Sequence, residues 1–401
     1  MMAPRRAAGL GASPAFRVGV RTAVFLLSAG LGVIGAVWAA MSVRVARLVV
    51  TPAARRADTR ILSLDTAAQT ITLSRTPDTE LPGRYGLFTR GSEDYVKLGS
   101  VLSEDAASVK RKLLTHIGET SRLSADAAFS GWYYDHPDQM HLPFTSQLIG
   151  SAVGPCPAWV FPGDSDTWCI QIHGRGTTRA ECLRAVPLLH SLGFTTMLVS
   201  YRNDGEAPRS RSGTYGLGAT EWRDVDAAVG FARRSGAQRI LLMGWSMGGA
   251  IALQLALNSA HRDRIVGLIL DSPVVDWRVV LEYQAELMGL PHPVTALAIE
   301  TLGSEWGTAL TRSGGPIPFD RLDGVSRAGE LRVPVLILHS DDDGFVPSDA
   351  SHALARARPD LVRLEVFTGA RHTKLWNYDQ ERWNTAIRIW LDETGIRRGE
   401  D

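Results

Sequence analysis

Residues 239–253 read Arg-Ile-Leu-Leu-Met-Gly-Trp-Ser-Met-Gly-Gly-Ala-Ile-Ala-Leu, and the fold turns on them. The run 240–243 is wholly apolar, the pattern of a strand buried on both faces of a parallel sheet. Residues 250–257 continue mostly as good helix formers. Between them stands Gly244-Trp245-Ser246-Met247-Gly248-Gly249. Glycines on both sides of the serine relieve crowding where strand and helix meet. The backbone can then hold Ser246 in a tight, strained turn with its hydroxyl exposed. The first helical turn aims its N–H groups and positive dipole end at the same spot, where an oxyanion would be stabilised.

Outward from this turn, apolar strands alternate with helical stretches. Residues 157–161 and 168–173 read as early strands joined by the turn-rich 162–166 as a hairpin. The second runs into His173-Gly174-Arg175-Gly176. Thr178-Arg-Ala-Glu181 then matches a capping box opening a helix that ends before Gly193. Residues 195–199 form the next strand. Thr220 is expected to cap a helix through Trp222, Val225, Ala228, Val229 and Ala232, and the apolar run 265–270 ends in Asp271. This alternation implies βαβ units: an α/β fold with a mostly parallel, doubly wound sheet. Ligands of such sheets bind at the carboxyl ends of the strands, where Ser246 falls.

Strand, Gly-x-Ser-x-Gly and helix in this order resemble the nucleophile elbow of the α/β-hydrolase superfamily. The resemblance covers about residues 158–391 and is closest to the serine-aminopeptidase and monoacylglycerol-lipase-like branch. It implies that the backbone N–H groups of Arg175, in a His-Gly loop, and of Met247 form an oxyanion hole. The Arg175 guanidinium could meet an anionic group or solvent.

A serine hydroxyl is a weak nucleophile and needs an imidazole base oriented by a carboxylate. In this superfamily they follow in the order Ser, Asp or Glu, His. Residues 334–339 form a strand leading to Ser340-Asp341-Asp342-Asp343-Gly344-Phe345-Val346-Pro347. The spacing His-x-x-x-Asp-x-x-Val-Pro resembles the family's acid loop and selects Asp343. A register one residue off stays open, with Asp341 and Asp342 as turn or capping residues. Gly369-Ala-Arg-His372 resembles the family's histidine loop, with Arg371 where a second glycine is common. His173 and His339 sit at strand ends and read as loop-fixing. The expected triad is Ser246, His372 and Asp343.

About 60 residues, near 273–331, separate Asp271 from the acid strand and include apolar helical stretches around Trp277 and up to Leu302. In this fold that position commonly carries a cap, whose apolar content would suit an acyl chain; a helix pair simply packed on the sheet stays open beside it. Glu282, Glu286 and Glu300 in the cap keep open an acidic pocket for a free amine.

At the N-terminus, residues 1–21 form a basic tail and 22–43 carry no charge. At about 1.5 Å per residue that stretch can cross a bilayer core of about 30 Å. A retained transmembrane anchor is favoured over a cleaved signal peptide. Arginines on both flanks leave orientation undecided by charge, and the short tail favours tail inside, enzyme outside. Residues 44–140 read as a small mixed β/α accessory module. It has a strand over 69–74, a helix over 103–117, and an aromatic cluster at Trp132-Tyr133-Tyr134 expected to pack on the main domain rather than to touch substrate. The hydrolase domain is expected over 141–396.

With 45% hydrophobic residues the 401-residue chain can bury a large core. A net charge of +1 gives no reason to invoke nucleic acid. Cys156, Cys169 and Cys182 are too few and scattered for a disulfide framework or metal cluster. No metal motif or nucleotide loop appears, and no cofactor is expected. The sequence therefore points to a membrane-anchored serine hydrolase acting on carboxylic esters, with lipid esters among the candidate substrates, through an acyl-enzyme. The competing readings are an aminopeptidase-like peptidase and a non-catalytic, membrane-tethered binding module.

Overall fold

The computed structural model describes residues 14–53, 55, 57–89, 95–119 and 123–396, with side chains in the first helix described from residue 32. That helix, α1 (Pro14–Val50), is longer than the expected 22–43. Its stretch Gly32–Val50 has a mean hydropathy of 1.8 and is the one helix among the described residues long and apolar enough to cross a membrane. The basic tail expected over 1–21 lies outside the described residues as far as residue 13.

The accessory segment is a closed antiparallel barrel rather than a mixed β/α unit. Its strands are β1 (Thr59–Asp65), β2 (Thr70–Ser74), β3 (Tyr85–Thr89), β4 (Tyr95–Glu104), β5 (Ser108–Leu113) and β6 (Asp126–Ser130), in the order β1-β2-β5-β4-β3-β6. The helix expected over 103–117 is instead the end of β4, a turn and β5. The Asp105 carboxylate accepts the N–H groups of Ala107 and Ser108 at 2.8 Å each, which makes a hairpin turn, not a helix start. Val109, Arg111 and Leu113 then alternate inward. Ile71, Leu73, Leu87, Leu98 and Phe129 fill the barrel.

The main domain is built on an eight-stranded sheet. Its strands are β7 (Thr145–Ser151), β8 (Gly154–Phe161), β9 (Thr167–Ile172), β10 (Thr195–Val199), β11 (Arg239–Trp245), β12 (Ile265–Asp271), β13 (Val335–Ser340) and β14 (Val362–Phe367). Their order is β14-β13-β12-β11-β9-β10-β8-β7, parallel from β14 through β10, with β8 antiparallel to both β10 and β7. Thus β8 and β9 are not a hairpin: β10 lies between them, pairing Met197 with Val160 on one side and with Ile170 on the other.

Helices α2 (Val186–Ser191), α3 (Trp222–Arg234), α4 (Met247–Asn258), α9 (Asp349–Ala357), α10 (Leu375–Tyr378) and α11 (Gln380–Glu393) accompany the sheet. Between β12 and β13 a cap is formed by α5 (Trp277–Leu287), α6 (His292–Gly303), α7 (Glu305–Thr311) and α8 (Phe319–Leu322). Two expected caps are absent. Thr178 makes no side-chain cap bond, and the chain enters a 3-10 turn, Arg179–Ala185, before α2. Thr220 does not cap α3; the Glu221 carboxylate gathers the N–H groups of Gly216, Gly218 and Thr220.

The last turns of α1 belong to the core of the eight-stranded-sheet domain. Ala46 and Val50 are fully buried in it. Ser42 Oγ donates to the Val294 carbonyl of α6 at 2.8 Å, and Arg47 Nε to the Leu310 carbonyl of α7 at 2.6 Å.

Candidate active site

The four expected site regions all sit at carboxyl ends of parallel strands: Arg175 after β9, Ser246 after β11, Asp343 after β13 and His372 after β14. Ser246 has φ +52° and ψ −117°, a conformation rarely adopted by a residue with a Cβ. The flanking glycines make that turn feasible. A Cβ on Gly248 would lie 2.1 Å from the Ile172 carbonyl oxygen, and one on Gly244 would lie 2.3 Å from the carbonyl of Gly248.

Ser246 Oγ lies 3.0 Å from His372 Nε2, and His372 Nδ1 lies 2.7 Å from Asp343 Oδ2. The other Asp343 oxygen accepts the N–H groups of Phe345 at 2.8 Å and Val346 at 2.9 Å. The neighbouring aspartates are engaged elsewhere: Asp341 with Ser348 and His352, Asp342 with the N–H of Gly369. Geometry therefore brings Asp343, and neither neighbour, to His372. Burial alone would push the Asp343 carboxyl up. The charge of His372 and hydrogen bonds from His339 and His372 outweigh it and hold the group well below its ordinary value. His339 is fixed in turn, with Nδ1 2.8 Å from Ser351 Oγ and Nε2 3.0 Å from the Val346 carbonyl.

Of the two expected oxyanion donors, Met247 directly follows the serine, and Arg175 follows Gly174, where an added Cβ would lie 3.3 Å from Ser246 Cβ. Met247 begins α4, so its N–H is one of the groups without an intrahelical partner. Arg175 lies in the loop after β9, and this loop is fixed from several sides. Glu181 Oε2 accepts from the Gly174 N–H at 2.9 Å and from Thr177 Oγ1 at 2.8 Å. That is where the glutamate of the supposed capping box goes. The His173 ring sits 2.8 Å from the Gly174 carbonyl and 3.2 Å from Asp204 Oδ2, stacked on Tyr201. The Arg175 guanidinium turns away from the site and donates to the carbonyls of Leu48 and Thr51 at the end of α1.

Several supporting residues escaped the sequence reading. Buried Arg184 donates to the Thr373 carbonyl at 2.6 Å and to Asn377 Oδ1 at 2.9 Å, and its Nη2 lies 3.7 Å from Glu181. It joins the 3-10 turn after β9 to the loop that carries His372. Ser272 Oγ accepts the Thr373 N–H at 3.1 Å, and Asp271 Oδ2 accepts from Trp383 Nε1 at 2.8 Å. Burial pushes the Asp271 carboxyl up against the pull of Arg184. Arginine and aspartate at these positions carry little local signal, because the partners that tie them to the histidine loop and α11, Thr373 and Asn377 for Arg184 and Trp383 for Asp271, lie more than 100 residues away. The cap reaches the acid loop through Tyr283 Oη, which donates to the Asp343 carbonyl at 3.3 Å, and Gln284, which donates to that of Phe345 at 2.8 Å. Phe345 is exposed beside the His372 ring, 5.2 Å between centroids. Glu282, Glu286 and Glu300 all face solvent. Among the described residues no group of three or more His, Cys, Asp or Glu side chains is placed to hold a metal.

Comparison with known proteins fits this architecture. A family model described as Domain of unknown function (DUF8805) matches residues 60–130, the barrel. Among solved structures, the esterase Pf2001 of Pyrococcus furiosus is similar at 16% identity and a TM-score of 0.51, over 65% of this chain and 94% of that one. A second crystal form of it gives 14% identity and 0.50, over 65% and 96%. Est1E of Butyrivibrio proteoclasticus, solved with ferulic acid, is 20% identical with a TM-score of 0.49, over 62% and 99%. At such identities the likeness to Pf2001 is one of fold. A family model described as Alpha/beta hydrolase family matches residues 172–386, more than half of the 401 residues and the whole span from the oxyanion loop to the histidine loop. This chain belongs to the α/β-hydrolase family.

Proposed function

We propose that the protein is a serine hydrolase that cleaves carboxylic esters through an acyl-enzyme. The observation that carries this reading is the unbroken line Ser246 Oγ, His372, Asp343 set on a strained elbow. Ser246 Oγ attacks the ester carbonyl carbon while His372 Nε2 takes its proton. The oxyanion accepts hydrogen bonds from the N–H groups of Arg175 and Met247, and loss of one such donor costs about 10²–10³-fold in turnover. Collapse expels the alcohol, which receives the proton from His372. Water, deprotonated by His372, then attacks the acyl carbon; the bond from that carbon to Ser246 Oγ breaks, His372 returns the proton to Oγ and the carboxylic acid leaves. Asp343 holds the proton on His372 Nδ1 and stabilises the imidazolium.

We further propose that α1 is a membrane anchor, with the catalytic domain outside, and that the substrate is a lipid ester. In support, Val33, Ile34, Val37 and Trp38 of α1 are exposed, as are Leu48 and the cap residues Trp306 and Leu310. Such a surface suits hydrocarbon and interface better than water. The cap acids that a free amine would require face solvent instead.

The test is hydrolysis of p-nitrophenyl esters of short and long acyl chains and of an aminoacyl nitroanilide, by wild type and Ser246→Ala in detergent. Ester turnover that rises with chain length and vanishes in Ser246→Ala is expected. Turnover of the nitroanilide alone would replace the ester reading with a peptidase, and inertness towards all three would favour a binding module.

A further inference from the structure

We propose that the barrel, the domain of unknown function, is a positioning module for the catalytic histidine: its 76–84 loop clamps the segment that follows His372. This rests on the reading of His372 as the general base.

The interior of the barrel is packed with aliphatic and aromatic side chains, which argues against a ligand chamber. One of its most unusual residues is Arg111, fully buried on β5 with no carboxylate partner among the described residues. It donates to the carbonyls of Thr79 at 2.8 Å, Leu81 at 2.7 Å, Gly83 at 2.9 Å and Gly99 at 3.0 Å. Burial pushes its guanidinium down to about 10. A buried cation is costly, and here three of its four bonds serve to shape one loop.

That loop is the face the barrel turns to the active-site domain. Asp78 Oδ2 accepts from Lys374 Nζ at 3.2 Å, and Asp78 Oδ1 lies 3.9 Å from Arg371 Nε. These two cations flank His372 in sequence, and Arg371 also donates to the Asp342 carbonyl of the acid loop at 3.0 Å. The arginine that departs from the family's histidine loop thus ties that loop to both the barrel and the acid loop. Asn377 Nδ2 donates to the Arg84 carbonyl at 2.7 Å and the Arg84 N–H to the Asn377 carbonyl at 3.3 Å. Gly83, at φ +102°, lets the two chains touch, since a Cβ there would lie 1.9 Å from the Asn377 oxygen. Tyr378 packs against the barrel core, and Tyr133 and Tyr134 meet Trp376 at 5.6 and 6.2 Å between rings.

From the opposite side Arg184 holds the same Asn377 and the Thr373 carbonyl. Thr373 itself sits at φ +52°, a left-handed conformation that a β-branched residue keeps only under external restraint. The turn that sets the direction of His372 is therefore pinned between Arg184 and the barrel.

Full-length wild type, Asp78→Ala, Asp78→Glu and Asn377→Ala test this by ester kinetics and by amide hydrogen exchange over residues 371–378. Since a misplacement of about 1 Å can cost about 10²-fold, partial release of the clamp should lower kcat about tenfold with KM within about twofold. Asp78→Ala is expected to show that loss, faster exchange over 371–378 and a nearly unchanged unfolding midpoint. Asp78→Glu should recover most of kcat. Asn377→Ala, if it folds, should lose more. Wild-type kcat and exchange in Asp78→Ala would overturn the proposal, as would a kcat loss that Asp78→Glu fails to recover. Exchange reads the clamp without activity, so a wild type inert on esters would count against the hydrolase reading and not be confused with failure of the clamp.

Discussion

Replacing Asp343 by asparagine isolates the acid's role, because the structure dictates how the amide must sit. Asp343 Oδ1 accepts two backbone N–H groups, from Phe345 and Val346, and only an oxygen can do so. In Asp343→Asn the amide oxygen stays there and the NH₂ takes the place of Oδ2, 2.7 Å from His372 Nδ1. It donates to Nδ1, which forces the proton onto Nε2. Nε2 then points a hydrogen at Ser246 Oγ, 3.0 Å away, and can no longer accept one. The base is lost with the fold intact. An analogous exchange in a serine protease lowers turnover about 10⁴-fold, or about 5 kcal/mol of transition-state stabilisation, and the same size is expected here. The assay is kcat on a p-nitrophenyl ester, with Asp341→Asn and Asp342→Asn beside it. Asp343→Asn within about tenfold of wild type, or an equal loss in Asp342→Asn, would refute the reasoning. Stability gives a second readout. A carboxyl held below its ordinary value of 3.8 contributes stability that is complete above that pH and is lost as pH falls through the folded value. Wild type should therefore lose this contribution on acidification below pH 3.8, and Asp343→Asn should not.

Two further perturbations test the frame of the site. Gly248→Ala places a Cβ 2.1 Å from the backbone oxygen of Ile172, which cannot swing aside, so destabilisation of about 3 kcal/mol or more is expected in urea unfolding; a shift under 1 kcal/mol by the same measure, on the order of a surface change, would contradict the elbow geometry. Proteins beginning at residue 32 and at residue 52 should differ sharply. The first keeps Ala46 and Val50 in the core, and the second loses their burial and the Ser42 and Arg47 bonds, at a cost of about 3 kcal/mol by urea unfolding. Equal stability would mean that α1 is only tethered and not packed.

The site was legible where its logic is local. A strand, six residues and a helix specify the turn at Ser246, and short spacings after strands specify Asp343 and His372. What sequence could not supply was whatever depends on partners far along the chain. Ser103-Glu-Asp resembles a helix start because acidic residues serve helix ends and Asx turns alike, and only pairing of β5 with β2 and β4 decides between them. Glu181 stands three residues after Thr178 as a capping box requires, yet its carboxylate is drawn to Gly174 and Thr177. Strands β8 and β9 are neighbours in sequence and are separated by β10, since sheet order is a long-range property. Arg184, Asp271 and the barrel's clamp on α10 are of the same kind. So is the embedding of α1, whose last turns read as the start of the accessory module and are core by packing.

The most direct test of the central claim is covalent labelling of the full-length protein with a fluorophosphonate, read by intact mass and by mapping the modified peptide. The account predicts one equivalent of label on Ser246, none on Ser246→Ala, and strongly slowed labelling of His372→Ala and Asp343→Asn. Label on another residue, or none on folded wild-type protein, would contradict it.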